Sequence, residues 1–417
     1  MQSFKYLGTQ IDAQLRWKEQ AQRVAANATK WILQYRRLTR PSTGVSNKLM
    51  RQLYLAVALP KITYGLSTWY TPPHKPAGAT KNTGSVAALK ALQKVQRLAT
   101  LAITGALRST PTDLLDAHAG VLPMELALSK VCFGSTVRLL TLPETHPIWK
   151  IVEQARRTQP KKHLGPIDLL VWGFKLEKEK LETVTPVRCN PRRLTRFKVA
   201  IPRSRDASIE DEKNDKSDFR VYADGSGHEG GIGAAAAIYK KGERRSIDHR
   251  KVYLGNKTKH NTYEGETVGA ILATWLVEIT PHTAGKSVTI YIDNQSVLKS
   301  VSEPKATSGQ HLLQTLASTA NNSSAKLELR WISGYSGVTG NEHADKLAKE
   351  ASEGKGTRRD DLPPFLRTRL PTSASAVVIG SGNPRVVTDL SGPPPEETPT
   401  LRKGYGFWLG KGTGPDG

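Results

Sequence analysis

The sequence predicts an α/β unit over residues 218–352, a mixed five-stranded sheet with flanking helices, preceded by a mostly α-helical region and followed by a disordered tail. Three observations predict it. Short runs alternate apolar and polar residues at a period of two, which is strand patterning. The runs between them carry apolar stripes at helical spacing. Beyond Glu353 the chain turns to Gly, Pro, Ser, Thr and charge, with too little apolar content for a core.

Residues 1–147 are expected to be helical, with a short strand or turn at Tyr6-Leu7-Gly8 and Ile11-Asp12. Leu89, Leu92, Val95 and Leu98 make a heptad-like stripe, and the stretch from Pro72 to Gly84 is loop. Residues 148–217 form a basic linker. Arg156, Arg157, Lys161 and Lys162 open it, and Arg188, Arg192, Arg193, Arg196 and Lys198 follow. It ends in an exposed acidic spacer, Asp206 to Glu212. Such a linker can still track a phosphate backbone.

In residues 218–352 the first strand alternates Phe219, Val221 and Ala223 with Arg220, Tyr222 and Asp224. Ile232 to Ile238 and Lys251 to Leu254 supply the next two strands. A helix follows, with Val268, Ile271, Leu272, Trp275 and Leu276 on one stripe. Val288, Ile290 and Ile292 give a fourth strand, and Leu327, Leu329 and Trp331 a fifth after another helix. The last helix bears Ala344, Leu347, Ala348 and Ala351.

The formal charge of +24 and a pI near 9.9 point to a polyanionic partner. Nucleic acid is favoured over anionic membrane, because no basic amphipathic helix or lipidation signal accompanies the charge. Cys132 and Cys189 sit in no CxxC or Cys-His cluster, which argues against structural zinc and for a reducing compartment. No apolar run has signal-peptide or membrane-spanning character. The expectation is a soluble, intracellular protein with no membrane partner.

Four acids stand where a hydrolytic metal site would need them. Asp224 closes the first strand before Gly225-Ser226-Gly227, and Asp293 closes the fourth. Glu266 heads the small-residue row Ala270, Ala273 and Val277, and Asp345 lies near the start of the last helix. An Asp at a strand end is usually a turn former, so each alone says little. Four converging carboxylates suit two hard cations, Mg²⁺ or Mn²⁺, for phosphodiester hydrolysis.

These residues lie in strings that resemble the type 1 ribonucleases H. Tyr222-Ala223-Asp224-Gly225-Ser226 is similar to the first motif, Glu264-Gly265-Glu266-Thr267-Val268 to the glutamate helix, and Ile290-Tyr291-Ile292-Asp293-Asn294-Gln295 to the third. The fourth runs from Trp331 through Gly340-Asn341-Glu342-His343-Ala344-Asp345 to Ala348. The resemblance implies a ribonuclease H-like fold and metal-dependent cleavage of the RNA strand of RNA/DNA hybrids. It makes Asp224, Glu266, Asp293 and Asp345 the catalytic metal ligands for two Mg²⁺ ions, with Mn²⁺ able to substitute. It leaves Glu264 outside the motif and makes Ser226 and Gln295 substrate contacts. One departure stands out: Tyr335 occupies the position where the family usually has histidine, and a phenol does not exchange protons near neutral pH as imidazole does.

Residues 2–147 resemble the end of the reverse transcriptase of non-LTR, LINE-type retrotransposons. The strings are Lys5-Tyr6-Leu7-Gly8, Leu15-Arg16-Trp17, Tyr64-Gly65, Ile103-Thr104-Gly105-Ala106 and Ala119-Gly120-Val121-Leu122-Pro123. They imply a fragment of a retrotransposon polyprotein without the polymerase palm, for which a partner polymerase is conceivable. The resemblance resumes at Leu362-Pro363-Pro364-Phe365-Leu366-Arg367 and Leu370-Pro371-Thr372-Ser373 and then fails, and a frameshifted or truncated end would explain the chain after about Val377. The competing expectation is a catalytically decayed nucleic-acid-binding remnant, which Tyr335 favours and the intact acids oppose.

Overall fold

The computed structural model describes residues 3–38, 44–75, 80–157, 166–174, 176–187, 195–334 and 337–380. The chain begins with an antiparallel hairpin, β1 (Ser3–Tyr6) and β2 (Thr9–Asp12). Its tight turn puts Leu7 and Gly8 at positive φ, 44° and 85°, as a two-residue hairpin turn requires. Asp12 then accepts from the Gln14, Arg16 and Trp17 amides and turns the chain into the first helix.

The helices that follow are α1 (Lys18–Arg36), α2 (Asn47–Leu53), a π turn at Tyr54–Ala58, α3 (Leu59–Ile62) and α4 (Leu66–Trp69). Then come α5 (Val86–Thr104), α6 (Thr112–Ala119), α7 (Met124–Leu140), α8 (Trp149–Arg157) and α9 (Pro166–Gly173). Ile32, Tyr54, Trp69, Leu92, Ile103 and Leu128 are buried together as one core. Within α5, Leu89, Leu92 and Val95 face that core, but the stripe then passes to Ala99 and Ile103 and leaves Leu98 exposed. A straight helix drifts from a heptad repeat, which explains the change.

Beyond the helices, β3 (Lys198–Ala200) and α10 (Arg205–Lys213) precede the main sheet. Its other strands are β4 (Phe219–His228), β5 (Gly231–Lys240), β6 (Asp248–Asn256), β7 (Ser287–Ile292) and β8 (Lys326–Trp331). The helices between and after them are α11 (Thr262–Ile279), α12 (Gln295–Ser302), α13 (Gln310–Asn322) and α14 (Thr339–Ser352). The sheet order is β3-β8-β7-β4-β5-β6. The β3–β8, β8–β7 and β7–β4 pairs are parallel, and β4–β5–β6 are antiparallel. One face packs on α11 and α13 through Val221, Ile290, Leu272 and Leu316, and the other on α14 through Tyr222, Ala235 and Ala348.

Three expectations are corrected. The sheet has six strands rather than five, because Lys198–Ala200 pairs with β8 at its edge. The segment from Asp206 to Glu212 is not an exposed spacer. It lies in α10, where Ser204 caps the Ala207 amide, Ser208 is buried, and Glu212 takes hydrogen bonds from Arg220 and Tyr222. Residues 353–380 are not a structureless tail: Leu362 and Leu366 join the sheet's core and α15 (Ala374–Gly380) packs on α7. Residues 381–417 lie outside the described residues, as do Lys161, Lys162, Arg188, Cys189, Arg192 and Arg193.

A carboxylate ties these parts together. Glu182, 1% exposed, accepts from the Ser308 hydroxyl, the Gly309 amide (2.7 Å) and the Ala374 amide (2.7 Å). Burial alone would raise its carboxyl, but these bonds and His311, 3.5 Å away, hold it below its ordinary value. Nearby, Leu181 bridges Thr372, and Gln310 exchanges hydrogen bonds with Thr185. Glu182→Ala leaves the buried Gly309 amide and the half-buried Ala374 amide without this acceptor. It is expected to lower unfolding free energy by about 3 kcal/mol in urea titrations, with a smaller loss for Glu182→Gln. A shift under about 0.5 kcal/mol would show that this contact is peripheral.

Candidate metal centre

The site begins with the close approach of α11 to the end of β4. At Gly225 an added Cβ would stand 2.0 Å from the Glu266 amide nitrogen, and at Gly269 2.7 Å from the Asp224 carbonyl oxygen. Side chains larger than hydrogen would drive helix and strand apart. The helix start is fixed by Asn261, whose side chain accepts from the Glu264 amide while the Glu264 carboxylate accepts from the Asn261 amide. This reciprocal cap explains why Glu264, although buried, stands apart from the chemistry. Two residues further along, Glu266 is brought against Asp224.

Asp293 follows β7, which runs parallel beside β4, and the indole of Trp331 donates to its carbonyl oxygen at 3.0 Å. Asp224, Glu266 and Asp293 each offer an oxygen within 4.8 Å of the other two. Asp345 comes from α14 and lines the same cleft, of about 370 Å³, with one oxygen 2.6 Å from the Lys349 ammonium. All four predicted acids therefore reach one cleft, three of them as a tight cluster. Ser226 lines it as well. Gln295 does not; it opens α12 and its side chain accepts from Lys299. Tyr335 lies outside the described residues.

Like charges this close resist ionisation together. Burial, then Asp293 and Asp345, push the Asp224 carboxyl up to about 7. Burial, then Asp293 and Asp224, push Glu266 up to about 10. Asp293 is raised too, chiefly by burial. Glu266 Oε2 and Asp293 Oδ1 are buried with no hydrogen-bond partner. Unpartnered hard oxygens in a crowded anionic cleft fit a small divalent cation, which would satisfy both the lone pairs and the charge.

Sequence reasoning passed over Asn341, Glu342, Thr262 and Lys349, all in the cleft wall. Glu342 and Asn341 were within the fourth motif but carried no distinguishing spacing. Of the two nearby histidines, His228 reaches the cleft and is exposed. His343 is engaged elsewhere, with Nδ1 2.7 Å from the Tyr239 hydroxyl and its ring beside His249. Larger clefts, of about 800 and 830 Å³, lie among the N-terminal helices and contain no carboxylate.

Residues 216–353 match the family model described as RNase H, about a third of the chain. The mixed sheet with its flanking helices is an RNase H-like fold, and the chain carries an RNase H domain. Similar solved structures include the N-terminal RNase H domain of a Mycobacterium tuberculosis protein, at 17% identity and TM-score 0.26, covering 33% of this chain and 96% of that one. RNase H1 from Halobacterium salinarum is 15% identical, with TM-score 0.26 and coverage of 33% and 98%. LC11-RNase H1 in complex with an RNA/DNA hybrid is 15% identical, with TM-score 0.29 and coverage of 33% and 97%. No curated protein sequence matches the chain.

The carboxyl protons must leave before a cation binds, so affinity should rise with pH. Calorimetric Mn²⁺ titration of the full chain is expected to show tighter binding and fewer protons released at about pH 8 than at about pH 6. In the cation-free protein these acids are raised, so the folded state keeps protons that the unfolded chain has lost. Their contribution to stability then falls as pH climbs from about 4 through the Asp224 value of about 7. Binding that weakened over this range would contradict the assignment.

Proposed function

We propose that this protein is a metal-dependent endoribonuclease that cuts the RNA strand of RNA/DNA hybrids. The observation that carries the reading is the tight cluster of Asp224, Glu266 and Asp293, two of them with buried, unpartnered oxygens, inside an RNase H domain. Asp224, Glu266, Asp293 and Asp345 are proposed as the ligands of two Mg²⁺ ions, for which Mn²⁺ can substitute. Bound ions of this kind supply an activated water and a counter-charge for the departing oxygen.

The chain's own residues set up that chemistry. Gly225 lets the helix carrying Glu266 close on Asp224, so the acids are held before substrate arrives. Their crowding makes the vacant cluster hold protons and the loaded cluster release them. Ser226 lines the cleft wall, and the resemblance makes it an RNA contact. Choice of a hybrid over duplex DNA would rest on the 2′-hydroxyl and backbone shape rather than on bases. The net charge of +24 supports binding of a nucleic-acid backbone. The strings in residues 2–147 support a retrotransposon origin for the whole.

A labelled RNA/DNA hybrid tests this reading. Cleavage is expected with Mg²⁺ or Mn²⁺, none with chelator, and a loss of at least about a hundredfold in Asp224→Asn or Asp293→Asn. Either variant cutting as fast as the parent would overturn the assignment. No cleavage by the parent, with hybrid still bound, would support the decayed remnant instead.

Restoring the family histidine gives a second test. Tyr335→His is expected to speed turnover by up to about a hundredfold near neutral pH, the lower range for a positioned acid–base group. A flat or slower rate would show that the site works around tyrosine.

A further inference from the structure

Four carboxylates line the cleft, and Glu342 adds a fifth, exposed at its edge. Lys349 is the one lysine or arginine among the described residues that line it. Its ammonium is 2.6 Å from Asp345 Oδ2, and its charge also reaches Asp224. The other three acids behave differently. Asp224, Glu266 and Asp293 form the tight cluster, while Asp345 stands outside it and holds the lysine. The cleft thus has a site for one cation in its three-acid corner and a covalently tethered monocation on its fourth acid.

An Asp–Lys pair one helical turn apart is commonplace, and on an open surface it contributes a few tenths of a kcal/mol. This pair differs in where it sits. It closes the cleft wall beside buried acids, where a positive charge is screened less and is felt by any second cation that approaches Asp345. The lysine side chain is 45% exposed, so water reaches it at the cleft wall.

Resting on the proposed function, we propose that Lys349 is a built-in counter-cation that competes with the second divalent ion for Asp345. With the ammonium on Asp345, the first ion binds to Asp224, Glu266 and Asp293. The second binds only when Lys349 turns away, so its affinity is lowered by the lysine's charge. Substrate phosphate, which adds negative charge to the cleft, favours that exchange. Lys349 is on this account a positioning residue for Asp345.

Mn²⁺ titration of the full chain, followed by the electron paramagnetic resonance of the free ion, reads the two affinities separately from activity. In the parent, one ion should bind well and a second more weakly. Lys349→Gln should tighten the second by at least about tenfold, the effect of one nearby charge in partly screened surroundings, and tighten the first by clearly less, since the lysine sits on Asp345 and reaches the first site only through Asp224. Lys349→Arg keeps the charge and should leave the second ion weak. Circular dichroism and thermal melting confirm that the variants fold.

A second affinity unchanged in Lys349→Gln, with the first ion still bound, would overturn this inference and leave the proposed function standing. A first ion that also binds the Asp224→Asn variant normally would overturn both. The Mg²⁺ concentration giving half-maximal hybrid cleavage should fall in Lys349→Gln alongside the second affinity, and a rise would count against the competition.

Discussion

The structure depends on the crowding of Asp224, Glu266 and Asp293 in one cleft, the first two buried and the third half-buried. Their oxygens share a space less than 5 Å across, since each lies within 4.8 Å of the others. Such a cluster opposes folding unless it keeps protons or gains a cation, and burial with mutual repulsion raises Asp224 and Glu266 so that they keep their protons. What makes the crowding possible is an absence of side chains. At Gly225 and Gly269 helix α11 lies on β4 with no room for a methyl group. The rest of the domain can be seen as the frame that holds this contact closed.

That frame is polar as well as apolar. Behind the sheet, Tyr222 stacks on Tyr291 at 5.1 Å, and their hydroxyls donate to Glu212 and Asp215. Arg220 pairs with the same two acids. Gly340 allows α14 to sit on the Tyr222 ring, where a Cβ would come within 2.2 Å. The strand carrying Asp224 and the helix carrying Asp345 are thereby set against one another from the side away from α11. Further out, Glu182 holds the segment before the domain to the start of α13 and to the segment after it. The cleft rests on a chain of such contacts rather than on an isolated domain.

Much of this was legible in the amino-acid sequence. The alternation in Phe219 to Asp224 and in Val288 to Ile292 marked the central strands, because successive side chains point to opposite faces and only the face toward α11 is wholly apolar. The acids at their ends marked the site, and all four reach the cleft. What escaped notice has physical causes. Strand β3 is three residues long, too short to show a period. Helix α10 buries Ser208 and Glu212 rather than an apolar stripe, so its composition resembles solvent-facing chain. Glu182 finds its partners 126 to 192 residues away, and nothing local announces them. Lys349 looks like one more helical ion pair until Asp224 is seen beside it.

The central claim is that the three crowded acids are a cation site in the folded protein. Anomalous diffraction from crystals of the full chain grown with Mn²⁺ tests it directly, because the metal's position is read without reference to activity. The account predicts a peak coordinated by oxygens of Asp224, Glu266 and Asp293, and its loss in crystals of Asp224→Asn. Peaks confined to other acids, with the three carboxyls bonded only to one another, would contradict it.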